Sequence, residues 1–148
     1  NAEASWVQNL HAGLNLLLAA SVQASPDSLL ASEEFGLGGT QFGRAFDPSE
    51  VTGDEGYAAK TELFYTYPAP GLGVVEPFAY YEGGRVNQNR PLPGEARHAR
   101  LQSVGGGLRI STDAGLSATI EYAKPIGRDV AANGDRDGRI FVTFSAAY

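Results

Sequence analysis

Arg44, on a long loop, is the residue of this chain whose chemistry is most specific. It stands between Phe42 and Phe46 in a glycine-rich, acid-rich loop that the sequence predicts over residues 32–56. A loop of this length inside a compact domain is usually functional. Its phenylalanines and glycines favour folding inward against a wall over exposure to water. An arginine folded inward needs a carboxylate, which its planar guanidinium can bind through two nitrogens. The sequence therefore predicts an ion pair that fixes this loop.

Two glutamates on the next segments of the chain are candidate partners for Arg44. Glu62 alternates with apolar residues in a way that turns it inward. The segment 74–86 is ambiguous, because aromatic residues occupy both of its faces. We place Glu82 inward, together with Phe78 and Tyr80, because an unpaired carboxylate facing hydrocarbon costs several kcal/mol.

These side chains need a scaffold, and most of the chain alternates with period two in segments about ten residues long. The last segment is the clearest, with Ile140, Val142 and Phe144 on one face and Thr143 and Ser145 on the other. Such alternation is typical of strands in an outer-membrane barrel, whose lipid side alone is apolar. Seven strands are predicted, over residues 4–10, 14–23, 57–67, 74–86, 103–111, 116–123 and 139–148.

The lengths of the connections support this interpretation independently. The joins after Leu10, Tyr67 and Ser111 are short, whereas those after residues 24, 86 and 126 are long and polar. Short periplasmic turns that alternate with long extracellular loops produce this pattern. Single-chain bacterial barrels usually have an even number of strands. We therefore expect an all-β, antiparallel transmembrane β-barrel of the outer-membrane type, of which residues 1–148 supply about seven strands.

Composition excludes several other classes of protein. The net charge of -6 and the pI near 4.8 argue against a nucleic-acid partner, which requires clustered Lys and Arg. The chain has no cysteine, so it has neither disulfides nor a thiolate site. Its best apolar run, residues 14–20, is too short for a transmembrane helix. No nucleophile, base and orienting group occur together, so we expect no enzyme and no cofactor.

One stretch raises the alternative of a metal site. Residues 133–138, Asn-Gly-Asp-Arg-Asp-Gly, are similar to the start of a calcium-binding loop. The position of the bidentate glutamate in such a loop falls on Phe144, inside a predicted strand. An acidic surface turn is therefore the preferred interpretation, and we expect no metal.

The loop and the strands around it resemble a known family. Residues 29–56, followed by Lys-Thr-Glu-Leu-Phe-Tyr at 60–65, are similar to the C-terminal barrel of the two-partner secretion transporters. This is the TpsB group, which includes ShlB, FhaC and HecB and shares a superfamily with the assembly protein BamA. The resemblance extends over most of the chain from about Leu14 onward.

The resemblance also implies roles for particular residues. In that family a Val-Arg-Gly-Tyr/Phe motif lies at the tip of an extracellular loop that folds back into the lumen. Gly43, Arg44, Ala45 and Phe46 occupy its four positions, with glycine in place of valine and alanine in place of glycine. The family's arginine contacts the acid of a Phe-x-Asp motif, and Phe78 to Gly84 occupies that place here, with Glu82 as the acid.

The function that the resemblance implies is protein export. Members of the family are barrels preceded by periplasmic POTRA domains, and they move a partner exoprotein of the haemolysin or adhesin type across the bacterial outer membrane. The resemblance implies that residues 1–148 are the C-terminal part of one transmembrane β-barrel domain, and POTRA domains and the N-terminal strands are not expected within them. A BamA-like assembly and insertion factor is the first alternative, and a passive porin is the second.

Further partners follow from the same resemblance. An integral outer-membrane barrel contacts the lipid bilayer and lipopolysaccharide. The terminal Tyr148, with Phe144 on the same face, resembles the aromatic C-terminal signal that the outer-membrane assembly machinery recognises. An ordinary interfacial aromatic would look the same, because such residues form girdles around barrels.

Overall fold

The computed structural model describes residues 1–91, 93–94 and 96–147, and its regular structure there consists of β-strands. Ten strands are present: β1 (Ala2–His11), β2 (Leu14–Gln23), β3 (Phe35–Leu37), β4 (Val51–Gly53), β5 (Glu55–Tyr65), β6 (Tyr67–Ala69), β7 (Gly73–Asn87), β8 (His98–Thr112), β9 (Leu116–Pro125) and β10 (Arg139–Ala146). Within the described ranges, no helix is long and apolar enough to cross a bilayer.

Seven strands form one continuous antiparallel sheet in the order β1-β2-β5-β7-β8-β9-β10. The short strand β6 pairs with β7, and β3 and β4 form a separate two-stranded ribbon. Among the described residues, β1 and β10 are the two edges of the sheet and do not pair with each other. The predicted fold class is therefore confirmed as an all-β antiparallel sheet that makes up part of a barrel.

The seven strands of the sheet are the seven that alternation predicts, and all their ends except the start of β8 agree to within two residues. The predicted strand 57–67 is divided, because Thr66 donates its N–H to the carbonyl of Gly13 in the neighbouring turn. The predicted strand 103–111 is longer and begins at His98. The added residues of β8 lie beyond the apolar band, because their outward positions are the polar His98, Arg100 and Gln102.

The sheet has two faces of different character. The inner face carries Glu62, Phe78, Tyr80 and Glu82, and all four side chains are buried. The outer face is apolar and exposed. Its members include Leu14, Leu18, Val22, Leu63, Tyr65, Tyr81, Val104, Leu108, Leu116, Ile120, Tyr122, Ile140, Val142 and Phe144. An apolar face of this extent fits a lipid contact, since soluble monomers rarely expose one.

The core of the protein lies between the inner face and the loop from residue 32 to residue 54, which we call the motif loop. The loop contributes Leu37, Phe42, Ala45, Phe46 and Val51 to this core. The inner face of the sheet, which we call the wall, contributes Ala58, Phe78, Tyr80, Val86, Leu101 and Ala123. The ribbon of β3 and β4 begins and ends the loop, so the tip around Arg44 is carried onto the inner face.

Candidate functional site

Arg44 reaches three carboxylates from three different strands. Its Nη2 lies 3.1 Å from Glu62 Oε2 on β5, its Nε 3.3 Å from Glu82 Oε2 on β7, and its Nη1 3.4 Å from Glu121 Oε2 on β9. Its Cζ lies 3.3 Å from the centre of the Tyr80 ring. Only 11% of the Arg44 side chain is exposed. The guanidinium thus uses its planar fork and its face together, which the ammonium of lysine cannot do.

Glu82 binds the main chain of the motif loop as well as the arginine side chain. Its Oε1 accepts the backbone N–H of Gly43 at 2.9 Å and that of Arg44 at 2.5 Å. The hydroxyl of Ser103 donates to the same oxygen at 2.7 Å. Glu82 has an exposed fraction of 0%. A buried carboxylate is tolerated only when it is paired and hydrogen-bonded, and four donors meet that condition here.

Glu62 is shared between two arginines. Its Oε1 lies 2.7 Å from Arg109 Nη2 on β8, while its Oε2 contacts Arg44. The Cζ of Arg109 also lies 3.8 Å from the centre of the Phe78 ring. Arg109 therefore binds the carboxylate oxygen of Glu62 that Arg44 does not contact, and its guanidinium packs over the Phe78 ring.

Glu121 is held by a tyrosine as well as by Arg44. The Tyr80 hydroxyl donates to its Oε1 at 2.8 Å. Close approach of Tyr80 requires glycine at position 105, because a Cβ there would lie 2.5 Å from the tyrosine oxygen. Three carboxylates and two guanidiniums therefore form one network, which we call the lumen cluster: Arg44, Glu62, Glu82, Arg109 and Glu121.

The electrostatics of the cluster keep Arg44 charged. Burial acts to lower the pKa of Arg44, but the carboxylates of Glu82, Glu121 and Glu62 raise it, and the net direction is upward. The guanidinium is therefore a permanent cation, and the three carboxylates hold it through charge and hydrogen-bond geometry. Among the residues that the structure describes, no group of three or more His, Cys, Asp or Glu side chains is arranged so that it could hold a metal ion.

The backbone at the tip of the motif loop depends on Gly43. Its φ is +94°, a conformation that residues with a side chain rarely adopt. Phe46 donates its N–H to the carbonyl of Gly43 at 2.8 Å, which closes the turn around Arg44. This turn therefore suits glycine, which stands where the family's motif has valine. Ala45, in place of glycine, has a negative φ and is fully buried.

Two further contacts fasten the loop to the far strands. Arg139 Nη1 on β10 lies 2.8 Å from Asp47 Oδ1. The backbone N–H of Ala131, in the long β9–β10 connection, donates to Glu50 Oε1 at 2.6 Å. The loop therefore spans the inner face from β5 to β10.

The structure brings together most of the residues that the sequence singles out. Gly43, Arg44, Ala45 and Phe46 lie in the loop tip, against Glu62, Phe78, Tyr80 and Glu82 of the wall. Phe144 lies apart, on the outer face of β10, with 76% of its surface exposed. Tyr148 falls outside the described residues. The role of these two residues in assembly stays a prediction.

Sequence reasoning missed Glu121, Arg109 and Ser103 as members of the site. All three lie on the inner face of their strands, which alternation indicates correctly. An acid at an inward position on a later strand was the available signal for Glu121.

Comparison with known protein families finds a match. The family model described as haemolysin secretion/activation protein ShlB/FhaC/HecB matches residues 1–110. This range contains the motif loop, Glu62, Glu82 and Arg109, whereas Glu121 lies beyond it. No curated protein matches the chain.

Proposed function

Since this chain belongs to the ShlB/FhaC/HecB family of haemolysin secretion/activation proteins, transporters of two-partner secretion, we propose that it forms part of an outer-membrane pore that exports a partner exoprotein. The substrate would be a large secreted protein of the haemolysin or adhesin type. The observation that carries the proposal is the motif loop, which Arg44 and three carboxylates bind to the inner face of the sheet.

The position of the loop supports a role in the pathway of the substrate. A loop on the inner face occupies the space through which an exported chain would pass. Its contacts reach strands β5, β7, β9 and β10, so movement of the loop would change the contacts of all four strands. We propose that the cluster fixes the wall and the loop in the arrangement that accepts substrate.

The two free edges bear on how the sheet is completed. A strand edge inside hydrocarbon leaves backbone N–H and C=O groups without partners, and each such group costs several kcal/mol. We therefore propose that further strands pair with β1 and β10 to close one barrel, of which residues 1–148 are the C-terminal part. POTRA domains on the periplasmic side would deliver the substrate to it.

The test is Arg44→Ala in the complete transporter, expressed together with its partner exoprotein. We expect secretion to fall at least about ten-fold, because the charge-assisted contacts of a partly desolvated arginine are worth about 1.5–3 kcal/mol each. The amount of folded barrel in the outer membrane, measured by heat-modifiable migration, should stay unchanged. Arg128→Ala is the matched control, since Arg128 lies exposed in the β9–β10 connection.

Three outcomes separate the proposal from its alternatives. Wild-type secretion by the Arg44→Ala variant would refute the role of the cluster. A general loss of other outer-membrane proteins would indicate an assembly factor instead. Steady ion conductance that is the same in the variant and the wild type, without any effect on secretion, would indicate a passive porin.

A further inference from the structure

The outer face carries a basic patch at one end of the sheet, which the lumen cluster does not involve. Arg85 on β7 and Arg100 on β8 lie directly opposite each other in the antiparallel register. Two like charges in this position destabilise a sheet unless something neutralises them. Among the described residues, neither guanidinium takes part in an ion pair.

The charges of the outer face are concentrated at this end. Alternation along the seven strands of the sheet turns four charged side chains outward, namely Glu55, Arg85, Arg100 and Lys124. Three of the four are cations, although the chain as a whole has a net charge of -6. All four lie next to the long connections, the side that faces the cell exterior in barrels of this type.

A groove runs from the arginine pair down into the apolar band. It has a volume of about 500 Å3 and is lined by Leu18, Tyr57, Ala59, Tyr81, Arg85 and Arg100, among others. Tyr57 stands directly opposite Arg85 on the neighbouring strand, so an aromatic side chain lies next to the arginine pair. The groove is thus cationic at its upper end and mainly apolar below, with Lys60, Thr61 and Gln102 as its further polar side chains.

We propose that this groove binds a phosphorylated glycolipid of the lipopolysaccharide type, with a phosphate between Arg85 and Arg100 and an acyl chain along Leu18, Tyr57 and Tyr81. A phosphate offers the several anionic oxygens that two guanidiniums can bind at once. The negative charge of the phosphate would also offset the repulsion between the two arginines. The glycolipid is favoured over a free anion because the apolar part of the groove continues from the arginines into the lipid-facing band.

The proposal needs the outer face to lie in an outer membrane, but it does not depend on protein export. The test uses the complete protein, purified in detergent and incubated with bisphosphorylated lipid A, with dephosphorylated lipid A or with inorganic phosphate. Native mass spectrometry counts the lipid that each barrel retains. Arg85→Gln/Arg100→Gln is compared with Arg128→Gln/Arg136→Gln, which removes the same charge from the exposed β9–β10 connection.

We expect the wild type and the control variant to retain the bisphosphorylated lipid and to release the dephosphorylated one. The Arg85→Gln/Arg100→Gln variant should retain the bisphosphorylated lipid at least about ten-fold less well. Equal retention by that variant would overturn the proposal, as would displacement of the lipid by millimolar inorganic phosphate. If the double variant does not fold, equal retention of the two lipids by the wild type would overturn it. Secretion is not measured, so failure here leaves the proposed export function untouched.

Discussion

Arg44 contacts Glu82 at two points, through its backbone N–H at 2.5 Å from Oε1 and through its Nε at 3.3 Å from Oε2. The first contact needs no arginine side chain, so Glu82 holds the main chain of the motif loop. Glu62 and Glu121 hold the guanidinium alone. The three glutamates should therefore differ in what their removal does to the loop.

Glu82→Ala should loosen the loop tip more than Glu121→Ala. Loss of Glu82 leaves the backbone N–H groups of Gly43 and Arg44 and the Ser103 hydroxyl without an acceptor, at a cost of about 1–3 kcal/mol for each buried group. Hydrogen exchange of residues 42–47 in the folded barrel measures the effect. We expect exchange at least about ten-fold faster in Glu82→Ala and little change in Glu121→Ala. Equal protection in the two variants would contradict the backbone role of Glu82.

The two ion pairs Arg44–Glu82 and Asp47–Arg139, which both bind the motif loop to the sheet, should differ in strength. Arg44 and Glu82 are almost fully buried, whereas 45% of the Asp47 side chain is exposed in its pair with Arg139. A double-mutant cycle on Arg44 and Glu82, measured by urea unfolding of the barrel in lipid, should give a coupling of about 1.5–3 kcal/mol. The same cycle on Asp47 and Arg139 should give less than about 1 kcal/mol and decrease with salt. A weaker coupling for the buried pair would contradict the prediction.

Gly43→Val should destabilise the loop, although valine is the residue that the family's motif has at this position. The φ of Gly43 is +94°, and a Cβ there would lie 3.1 Å from the backbone of Gly38. Left-handed backbone costs a residue with a side chain about 1–2 kcal/mol before any clash is counted. Hydrogen exchange of residues 38–47 and the midpoint of thermal unfolding report the effect.

The matched control for this substitution is Ala45→Gly, which restores the family's glycine in the same turn. Ala45 has a negative φ, so the cost should be limited to the lost methyl group and the freer backbone, about 1 kcal/mol. Wild-type loop protection in Gly43→Val would show that the turn can relax around a side chain.

The fold could be predicted from the sequence further than the site could. Alternation along a strand assigns each side chain to one of two faces, so Glu62 could be placed inward from the pattern. Glu82 could be placed inward because a carboxylate that faces hydrocarbon is costly. Depth along the inner face depends on register across several strands. Glu62 pairs with Tyr80, Tyr80 with Gly105 and Gly105 with Ala123, which brings Glu121 next to the arginine. No local pattern contains these offsets, so Glu121 and Arg109 were missed.

The ribbon of β3 and β4 was missed for a different reason. Each of its strands has three residues, which is too short for alternation to be recognised. Its position is determined by contact with the wall. Phe35 lies where a side chain on Gly56 would be, and Leu37 lies where a side chain on Gly84 would be. The inward fold of the loop could be inferred from its composition, but this docking could not.

Leu16 and Leu17, adjacent on β2, test which face of the sheet meets lipid. The two are the same residue type at nearly the same depth, so hydropathy cannot distinguish them. Leu16 pairs with Leu63 on the outer face, and Leu17 pairs with Glu62 on the inner face. Leu16→Arg should cost about 2–4 kcal/mol if it lies near the bilayer midplane, because the new charge faces hydrocarbon. Leu17→Arg places the same charge beside a carboxylate and should be tolerated.

Heat-modifiable migration of outer-membrane fractions measures the folded share of each variant. We expect the folded share to fall several-fold for Leu16→Arg and to stay near wild type for Leu17→Arg. The reverse order would mean that the inner face, and not the outer one, meets the bilayer.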